Sequence, residues 1–289
     1  MPEYVDEVRL RKHVEALASD IGERNVSKPE SLAAASSYIE AEWRTQGYDV
    51  VRQVYEALGV ACANLEITRP GDRADGGILL IGAHYDTVPG SPGADDNASG
   101  VAGMLELSRL FAEISPRQTV RFVAWVNEEP PYFRTSLQGS AVHARAAKER
   151  GDDIDFMVSL EMLGYYRDTP GSQRYPPLFR PFFPREGNFI GVVSNFGSHR
   201  AKRRLTKAFR RHSDFPIEHL TTFEFVPGVS WSDHAAFWKQ GYRGLMVTDT
   251  AFYRNPHYHT PDDTIDKIAF PEFHRVTEGL FLAFAALAT

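Results

Sequence analysis

The sequence predicts an α/β protein, a three-layer α/β/α sandwich around a mixed, mostly parallel sheet of about eight strands. Apolar, β-branched segments alternate along the chain with segments whose apolar residues recur at helical spacing. This alternation favours a largely parallel sheet with helices on both faces. The chain has 289 residues, of which 43% are hydrophobic and 24% charged, so a sizeable core is expected, within one domain over residues 1–289.

The elements follow from periodicity and from glycine and proline boundaries. We predict helices over residues 6–19, 30–46, 97–114, 137–149, 199–211 and 271–288, and strands over residues 49–55, 60–67, 77–82, 119–126, 154–160, 188–193 and 243–248. Residues 165–187 interrupt the alternation with five prolines and many aromatic residues. Long connections of this kind are usually functional, so we interpret this one as a wall of the substrate cleft, with a disordered surface insert as the alternative.

Composition excludes several classes of protein. The formal net charge of −6 gives no reason to expect a nucleic acid or an anionic membrane as a partner. The single cysteine, Cys62, stands in an apolar stretch and is predicted to be a core residue, and the absence of a disulfide framework fits a reducing compartment. Residues 1–11 lack the apolar segment of a secretory signal, and no apolar run approaches a membrane span. A cytoplasmic location is therefore expected, and the oligomeric state stays open.

The first candidate site segment directly follows the strand at 77–82 and contains His84 and Asp86. In α/β sheets, ligands bind beyond the carboxyl ends of the strands. A neutral imidazole nitrogen of His84 could bind a metal there, while Asp86 accepts the proton of the other ring nitrogen and fixes the orientation of the ring. Taken alone, a His-x-Asp pattern is more often a hydrogen-bonded pair at a strand end.

Two pairs of carboxylates form the next candidate segments. Asp95 and Asp96 precede the helix predicted from residue 97, where an aspartate commonly caps a helix but can also bridge two cations. We favour Asp96 as the bridge and Asp95 as a supporting residue. Glu128 and Glu129 follow a strand and precede two prolines, and such close like charges repel unless a cation compensates them. One is predicted to bind metal and the other to act as a general base on water, with a solvated turn as the alternative.

The last candidates are a glutamate and a histidine-containing loop. Glu161 ends another apolar strand, where a buried carboxylate needs a partner that a metal would supply. His257 and His259 would face opposite ways in an extended segment, so one of them is expected to be a ligand, with Asp262 and Asp263 as supporting or capping groups. No segment is decisive alone, but their occurrence together at strand ends and in one late loop predicts a metal site. Oxygen and nitrogen ligands without cysteine suit catalytic Zn²⁺, and also Mn²⁺ or Co²⁺.

Four motifs, in this order along the chain, resemble peptidase family M28, which includes bacterial leucyl aminopeptidases and glutamate carboxypeptidase. They occupy residues 84–87, 93–100, 128–129 and 259–264, and the resemblance extends from about residue 8 to the C terminus. It implies a single M28-type catalytic domain over residues 1–289. It also implies a metal-dependent exopeptidase of the aminopeptidase type, which hydrolyses peptides or amino-acid conjugates.

The resemblance also implies roles for individual residues. One zinc ion would be held by His84, Asp96 and Glu161, and a second, roughly 3.5–4 Å away, by Asp96, Glu129 and His259. Glu128 would be the general base and Asp86 would orient His84. A cis peptide between Asp96 and Asn97 is a further expectation. Tyr258 is a candidate donor to the developing oxyanion, with a packed aromatic ring as the equal alternative.

The sequence departs from the family pattern in two places. The family's aminopeptidases usually carry Asp at the position of Glu161, whereas some related carboxypeptidases carry Glu, which leaves the polarity of the exopeptidase open. The family's Glu-Glu-x-Gly-Leu-x-Gly-Ser motif is stretched here by residues 130–138. We predict that this segment and residues 165–187 together wall the substrate entrance. Residues 232–234 also resemble a family segment, to which we assign no role beyond shaping the cleft.

The chemistry of the entrance has two interpretations. An apolar pocket is favoured, since ligand sites are mostly lined by apolar and aromatic groups, and the candidates are Tyr132, Phe133, Tyr165, Tyr166 and Phe179. Alternatively, Arg134 or Arg167 could bind a substrate carboxylate. Two rival functions use the same scaffold: a glutaminyl cyclase-like aminoacyltransferase with one zinc ion, and a binding domain without activity. The complete ligand set favours the peptidase over both.

Overall fold

The fold is built on one mixed sheet, as predicted. The structure, a computed structural model, describes residues 4–73, 77–176 and 179–289. Its strands are β1 (Val51–Ala57), β2 (Val60–Arg69), β3 (Ile78–His84), β4 (Thr119–Trp125), β5 (Ile154–Glu161), β6 (Ile190–Ser194), β7 (Ile217–Thr221) and β8 (Gly244–Thr248). They form an eight-stranded sheet in the order β1-β2-β4-β3-β5-β8-β6-β7. The predicted α/β fold class is confirmed.

The centre of the sheet is parallel. Strands β4, β3, β5 and β8 are neighbours and run in the same direction, so their carboxyl ends meet at one edge. Strands β1 and β2 extend the sheet in antiparallel fashion on one side. On the other side β6 runs antiparallel to β8, and β7 runs parallel to β6. The central strands are apolar on both faces because helices cover both.

Helices form the two outer layers. The larger layer contains α1 (Glu7–Val14), α2 (Pro29–Thr45), α3 (Gly100–Ala112), α5 (His199–His212) and α7 (Phe270–Ala288). It covers the main hydrophobic core, in which Cys62 is buried as predicted. The smaller layer contains α4 (Gly139–Arg150) and α6 (His234–Lys239), which pack over a second core around Trp125 and Met157.

Two elements escaped prediction. Strand β7 is an edge strand with the polar sequence Ile-Glu-His-Leu-Thr, and α6 has only six residues, so neither carries a clear apolar period. The predicted helix over residues 6–19 is α-helical to Val14 and continues with wider π-type turns over Glu15–Ile21. The Asp96–Asn97 peptide is cis, as the resemblance implies. Among the residues that the structure describes, none of the helices is long and apolar enough to span a membrane.

Candidate metal centre

The fold gathers every predicted ligand at the carboxyl edge of the parallel strands. His84 is the last residue of β3, Glu161 is the last residue of β5, and Glu129 follows β4 after a short turn. Asp96 lies on the turn that precedes α3, and His259 lies in the loop that follows β8. Because β4, β3 and β5 are parallel neighbours, their ends deliver these side chains to the same place.

The ligand-type side chains form two clusters that share one aspartate. In the first, His84 Nε2 lies 3.4 Å from Asp96 Oδ1 and 3.5 Å from Glu161 Oε2. In the second, His259 Nε2 lies 3.1 Å from Asp96 Oδ2 and 3.2 Å from Glu129 Oε1. Asp96 therefore offers a different carboxylate oxygen to each cluster, which is the arrangement of a bridging ligand.

Both clusters fit a divalent cation by distance and by chemistry. A tetrahedral zinc ion with bonds of about 2.0–2.1 Å places neighbouring ligand atoms about 3.3 Å apart, close to the observed separations. Within the described residues, His84 Nε2, Asp96 Oδ1 and Glu129 Oε1 are buried without a hydrogen-bond partner. Because buried polar atoms are normally paired, these three atoms lack the partner that a bound cation would supply.

The electrostatics of the site also favour positive charge. Burial raises the pKa of Glu128 well above its usual value, and burial together with the charge of Asp96 raises the pKa of Glu129 to about 8. Although burial opposes the effect, contacts with Asp96 and Glu129 raise the pKa of His259 to about 10. The raised pKa values mean that these side chains keep their protons, because several carboxylates lie close together. Bound cations would neutralise the same negative charge in place of the protons.

Asp86 connects the two halves of the site. Its backbone carbonyl lies 3.2 Å from His84 Nδ1, within hydrogen-bond distance, and its side-chain Oδ1 lies 3.5 Å from the same nitrogen. Its two carboxylate oxygens accept hydrogen bonds from the backbone N–H groups of Glu128 and Glu129, each at 3.1 Å. Asp86 therefore meets the histidine of the first cluster through its backbone and holds the glutamate pair through its carboxylate, and the sequence pattern had indicated only a contact with the histidine.

A second carboxylate holds the turn that presents Asp96. The two oxygens of Asp263 accept the backbone N–H groups of Asp95 and Asp96 at 2.9 and 3.0 Å. Asp95 Oδ1 accepts the N–H of Gly164 at 2.9 Å, and its Oδ2 accepts Asn255 Nδ2 at 2.8 Å. Asp95 thus binds the surrounding backbone and loop rather than entering a cluster, which agrees with the supporting role expected for it.

Two further residues support the site without having been singled out for it. Ser232 Oγ donates to Glu161 Oε2 at 2.7 Å, so the segment at 232–234 holds a ligand-type carboxylate as well as shaping the cleft. Arg24 is fully buried and donates to the carbonyls of Tyr85 and Gly93, at 2.7 and 2.9 Å. It clamps the connection between His84 and Asp96, and no motif or spacing around a lone arginine indicates this.

An apolar cavity of about 120 Å³ opens beside the metal-type clusters. Glu161 and Tyr258 form its end nearest the clusters. Its walls come from three loops, with Tyr175, Phe179, Phe183, Val226, Val229, Trp231, Phe252 and Tyr253 among the lining residues. An apolar cavity of this size is comparable to one of about 150 Å³ that holds benzene, so it can take a substrate side chain.

The predicted loops contribute unequally to this cavity. Gln173, Tyr175, Pro176, Phe179 and Phe183 line it, but residues 130–138 are not among its lining residues. Of the predicted aromatic residues Phe179 lines it, whereas Tyr132, Tyr165 and Tyr166 are buried outside it. The predicted arginines lie elsewhere: Arg134 donates to Ser230 Oγ at 2.6 Å, and Arg167 stacks on the Tyr165 ring. The loop at 226–231, which the sequence did not single out, supplies part of the wall.

The three-layer fold, the two cation-type clusters and the adjoining cavity define a metal-dependent hydrolase. A profile of peptidase family M28 matches residues 64–284. The chain belongs to peptidase family M28, which confirms the predicted family and the predicted class, a metallo-exopeptidase.

Relatives and solved structures agree with this membership. The uncharacterized protein YfbL of Escherichia coli is 38% identical over 96% of this chain and 88% of its own length. Leucine aminopeptidase 1 of Fusarium vanettenii is 27% identical over 70% of this chain, which spans about half (50%) of that relative. The zinc aminopeptidase BSAP from Bacillus subtilis shares the fold with a TM-score of 0.77 at 15% identity, over 98% of this chain and 95% of that one. A glutaminyl cyclase from Fimbriiglobus ruber also shares the fold, with a TM-score of 0.72 at 21% identity, over 99% of this chain and 96% of that one.

Proposed function

We propose that this protein is a zinc-dependent aminopeptidase with two zinc ions, which removes the amino-terminal residue from peptides or amino-acid conjugates. The observation that carries the proposal is the pair of cation-type clusters that share Asp96 beside the buried Glu128. The names of the zinc aminopeptidase and leucine aminopeptidase relatives support both the metal and the reaction.

The ligand sets follow from the clusters. His84, Asp96 and Glu161 would hold one ion, and Asp96, Glu129 and His259 would hold the other. Zinc suits these nitrogen and oxygen donors, and Mn²⁺ or Co²⁺ could replace it. When bound, the ions would act as Lewis acids that polarise the scissile carbonyl and lower the pKa of the attacking water.

Glu128 is the general base of the proposed reaction. Its side chain is buried, and Oε1 has no hydrogen-bond partner within the described part of the chain. A ligand atom of His84 and one of Glu129 lie within 4.8 Å of a Glu128 oxygen. Glu128 would accept the proton of the attacking water and deliver it to the leaving amine. The hydrogen bond from its backbone to Asp86 holds it beside the clusters.

The lining of the cavity favours amino-terminal over carboxy-terminal cleavage. A carboxypeptidase needs a cation that binds the substrate carboxylate. Among the described residues that line the cavity there are two carboxylates, Glu161 and Glu218, but no Lys or Arg. Arg134 and Arg167, the earlier candidates for that cation, make their contacts outside the cavity. The surroundings therefore suit a substrate with a free α-amino group.

Tyr258 is proposed as a hydrogen-bond donor to the oxyanion. It lines the cavity and stacks on His259, with ring centroids 3.7 Å apart. Burial raises the pKa of its hydroxyl far above the usual value, so the hydroxyl keeps its proton. Tyr258→Phe should lower kcat by about 10²-fold, the scale of one oxyanion donor, with little change in zinc content.

A matched variant separates this role from aromatic packing. Tyr253 also lines the cavity, but its hydroxyl donates to the Pro227 carbonyl at 3.2 Å. Tyr253→Phe should therefore retain a kcat close to that of the unmodified protein. Equal kcat values for the two variants would indicate that Tyr258 acts only by packing.

Metal content and substrate tests distinguish the proposed function from its rivals. The zinc-loaded protein should contain two ions per chain, hydrolyse amino-acid 4-nitroanilides, leave N-blocked peptides intact, and lose activity when a chelator removes the metal. One ion per chain together with cyclisation of amino-terminal glutamine would indicate a glutaminyl cyclase instead. A protein that binds no metal and turns over neither substrate would be a binding domain.

A further inference from the structure

A row of four residues crosses the sheet from the metal-type clusters to its edge strand. Glu161 on β5 pairs with Thr248 on β8, Thr248 pairs with Gly191 on β6, and Gly191 pairs with Glu218 on β7. Directly paired residues of neighbouring strands point to the same face of a sheet. All four line the apolar cavity, so this row forms the floor of the cavity.

The middle of the row carries no side chain. Gly191 has none, and a Cβ atom at that position would lie 3.2 Å from the backbone oxygen of Thr248 and 3.5 Å from Thr250 Cγ2, so a larger residue would be crowded there. The floor therefore carries no large side chain between the two glutamates. Three inter-strand steps of about 4.8 Å separate their Cα atoms by about 14 Å. An extended lysine or arginine side chain spans roughly 6–7 Å from its Cα to its charged group, and Glu218 lines the same cavity.

The row of four residues and the cavity walls above it form a channel that runs from Glu161 to Glu218. Both ends of the channel carry a carboxylate, while its walls are apolar. The rings of Tyr175, Phe183 and Phe252 line the channel, and such walls suit the methylene groups of a long side chain. Glu161 at the inner end belongs to a cation-type cluster and accepts a hydrogen bond from Ser232. Glu218 at the outer end belongs to neither cation-type cluster and accepts no hydrogen bond from the described residues.

Glu218 is a half-buried carboxylate without a partner in the described residues. No hydrogen bond or ion pair is formed by its side chain there, although Arg210 donates nearby to the carbonyl of Ile217. Burial raises the pKa of Glu218, and the charge of Arg210 opposes this effect. A partly desolvated carboxylate at the end of an apolar channel is suited to bind a cation that arrives with its own apolar stem.

We propose that the enzyme selects substrates whose amino-terminal residue is lysine or arginine, with Glu218 as the residue that determines this specificity. The methylene stem lies along the floor at Gly191, where no side chain projects, and the ammonium or guanidinium group pairs with the Glu218 carboxylate. This inference rests on the proposed aminopeptidase function. The apolar cavity alone would favour substrates with an apolar amino-terminal side chain. With Glu218 at its outer end, we expect the enzyme to prefer a long side chain that ends in a cation.

The experiment compares four aminoacyl 4-nitroanilides on the zinc-loaded enzyme: lysine, arginine, norleucine and leucine. Norleucine has the unbranched apolar stem of lysine without the ammonium group. We expect kcat/KM for lysine to exceed that for norleucine by on the order of 10–10²-fold, the range of a hydrogen bond to a charged group. Glu218→Gln should abolish this ratio and leave kcat/KM for norleucine and leucine nearly unchanged.

Glu186→Gln is the matched control. Glu186 also lies near Tyr175 but is not a lining residue of the cavity, so its loss of charge should leave the lysine preference intact. Zinc content and thermal unfolding of both variants verify that they fold. If leucine is cleaved but lysine is not preferred over norleucine, or if Glu218→Gln keeps the preference, the role of Glu218 is refuted while the aminopeptidase activity stands. If none of the four substrates is hydrolysed, the proposed function fails, and the selectivity fails with it.

Discussion

Glu128→Gln is expected to retain both zinc ions and to lower kcat by on the order of 10²–10⁴-fold, the usual contribution of a general base. Glutamine has nearly the same shape as glutamate but cannot accept the proton of the attacking water. The backbone N–H of residue 128 would still donate to Asp86, so the turn should keep its position. Steady-state kinetics with an aminoacyl 4-nitroanilide and metal analysis of the same preparation measure the two quantities.

The variant Glu129→Gln is the comparison for Glu128→Gln. Glu129→Gln makes the same chemical change one position further along, but Glu129 Oε1 lies in the second cluster, 3.2 Å from His259 Nε2. This variant should lose zinc as well as activity. A fully metal-loaded Glu128→Gln enzyme with near-normal turnover would show that the base has been assigned to the wrong glutamate.

Asp96→Asn is expected to have an effect of similar size, because Asp96 belongs to both clusters. The amide keeps one oxygen but loses the charge and the second acceptor, so at least one ion should be released. A metal ion contributes several kcal/mol of transition-state stabilisation, and each 1.36 kcal/mol corresponds to a factor of ten. We therefore expect kcat/KM to fall by about 10³-fold or more, together with a measured zinc content below two per chain.

Asp262→Asn is the control for this change. Asp262 is an exposed aspartate in the same loop as His259, and its backbone carbonyl rather than its side chain accepts from Thr264. Removing its charge should leave zinc content and activity close to those of the unmodified protein. Retention of two tightly bound ions in Asp96→Asn would contradict the bridging role and require a different ligand for one of the clusters.

The ligand-type residues could be predicted because their signals are local. His84, Glu128, Glu129 and Glu161 each stand at or just after the end of an apolar strand, and the carboxyl ends of parallel neighbours necessarily meet. The order of the motifs then identified the family. Glu161 departs from the residue usual in aminopeptidases, yet its Oε2 lies 3.5 Å from His84 Nε2 and it completes the first cluster.

The supporting residues could not be predicted in the same way. Arg24 lies 60 positions before His84 in the chain, and its role arises only from hydrogen bonds to the backbone of a distant loop. Ser232 meets Glu161 across 71 positions. Such contacts depend on long-range packing, and neither residue lies in a periodic pattern or in a motif with a role assigned from sequence.

The directions of the loop side chains also could not be predicted from the sequence. Tyr165 and Tyr166 follow Glu161 closely, but they are buried in packing, and Tyr166 lies edge-on against Phe215. Phe179, in the same connection, lines the cavity. Irregular segments have no fixed side-chain period, so their orientation is decided by the elements that they pack against.

The sequence by itself determined the class of the protein, the strand ends that carry the site, and the residue types that can hold a metal, because each depends on neighbouring residues along the chain. Only the tertiary structure decided where the cavity lies and which residues line it. The row from Glu161 to Glu218 joins residues of four strands, and its most distant pair, Glu161 and Thr248, is 87 positions apart in the chain. Strand order and register create that row, and both result from packing between distant segments.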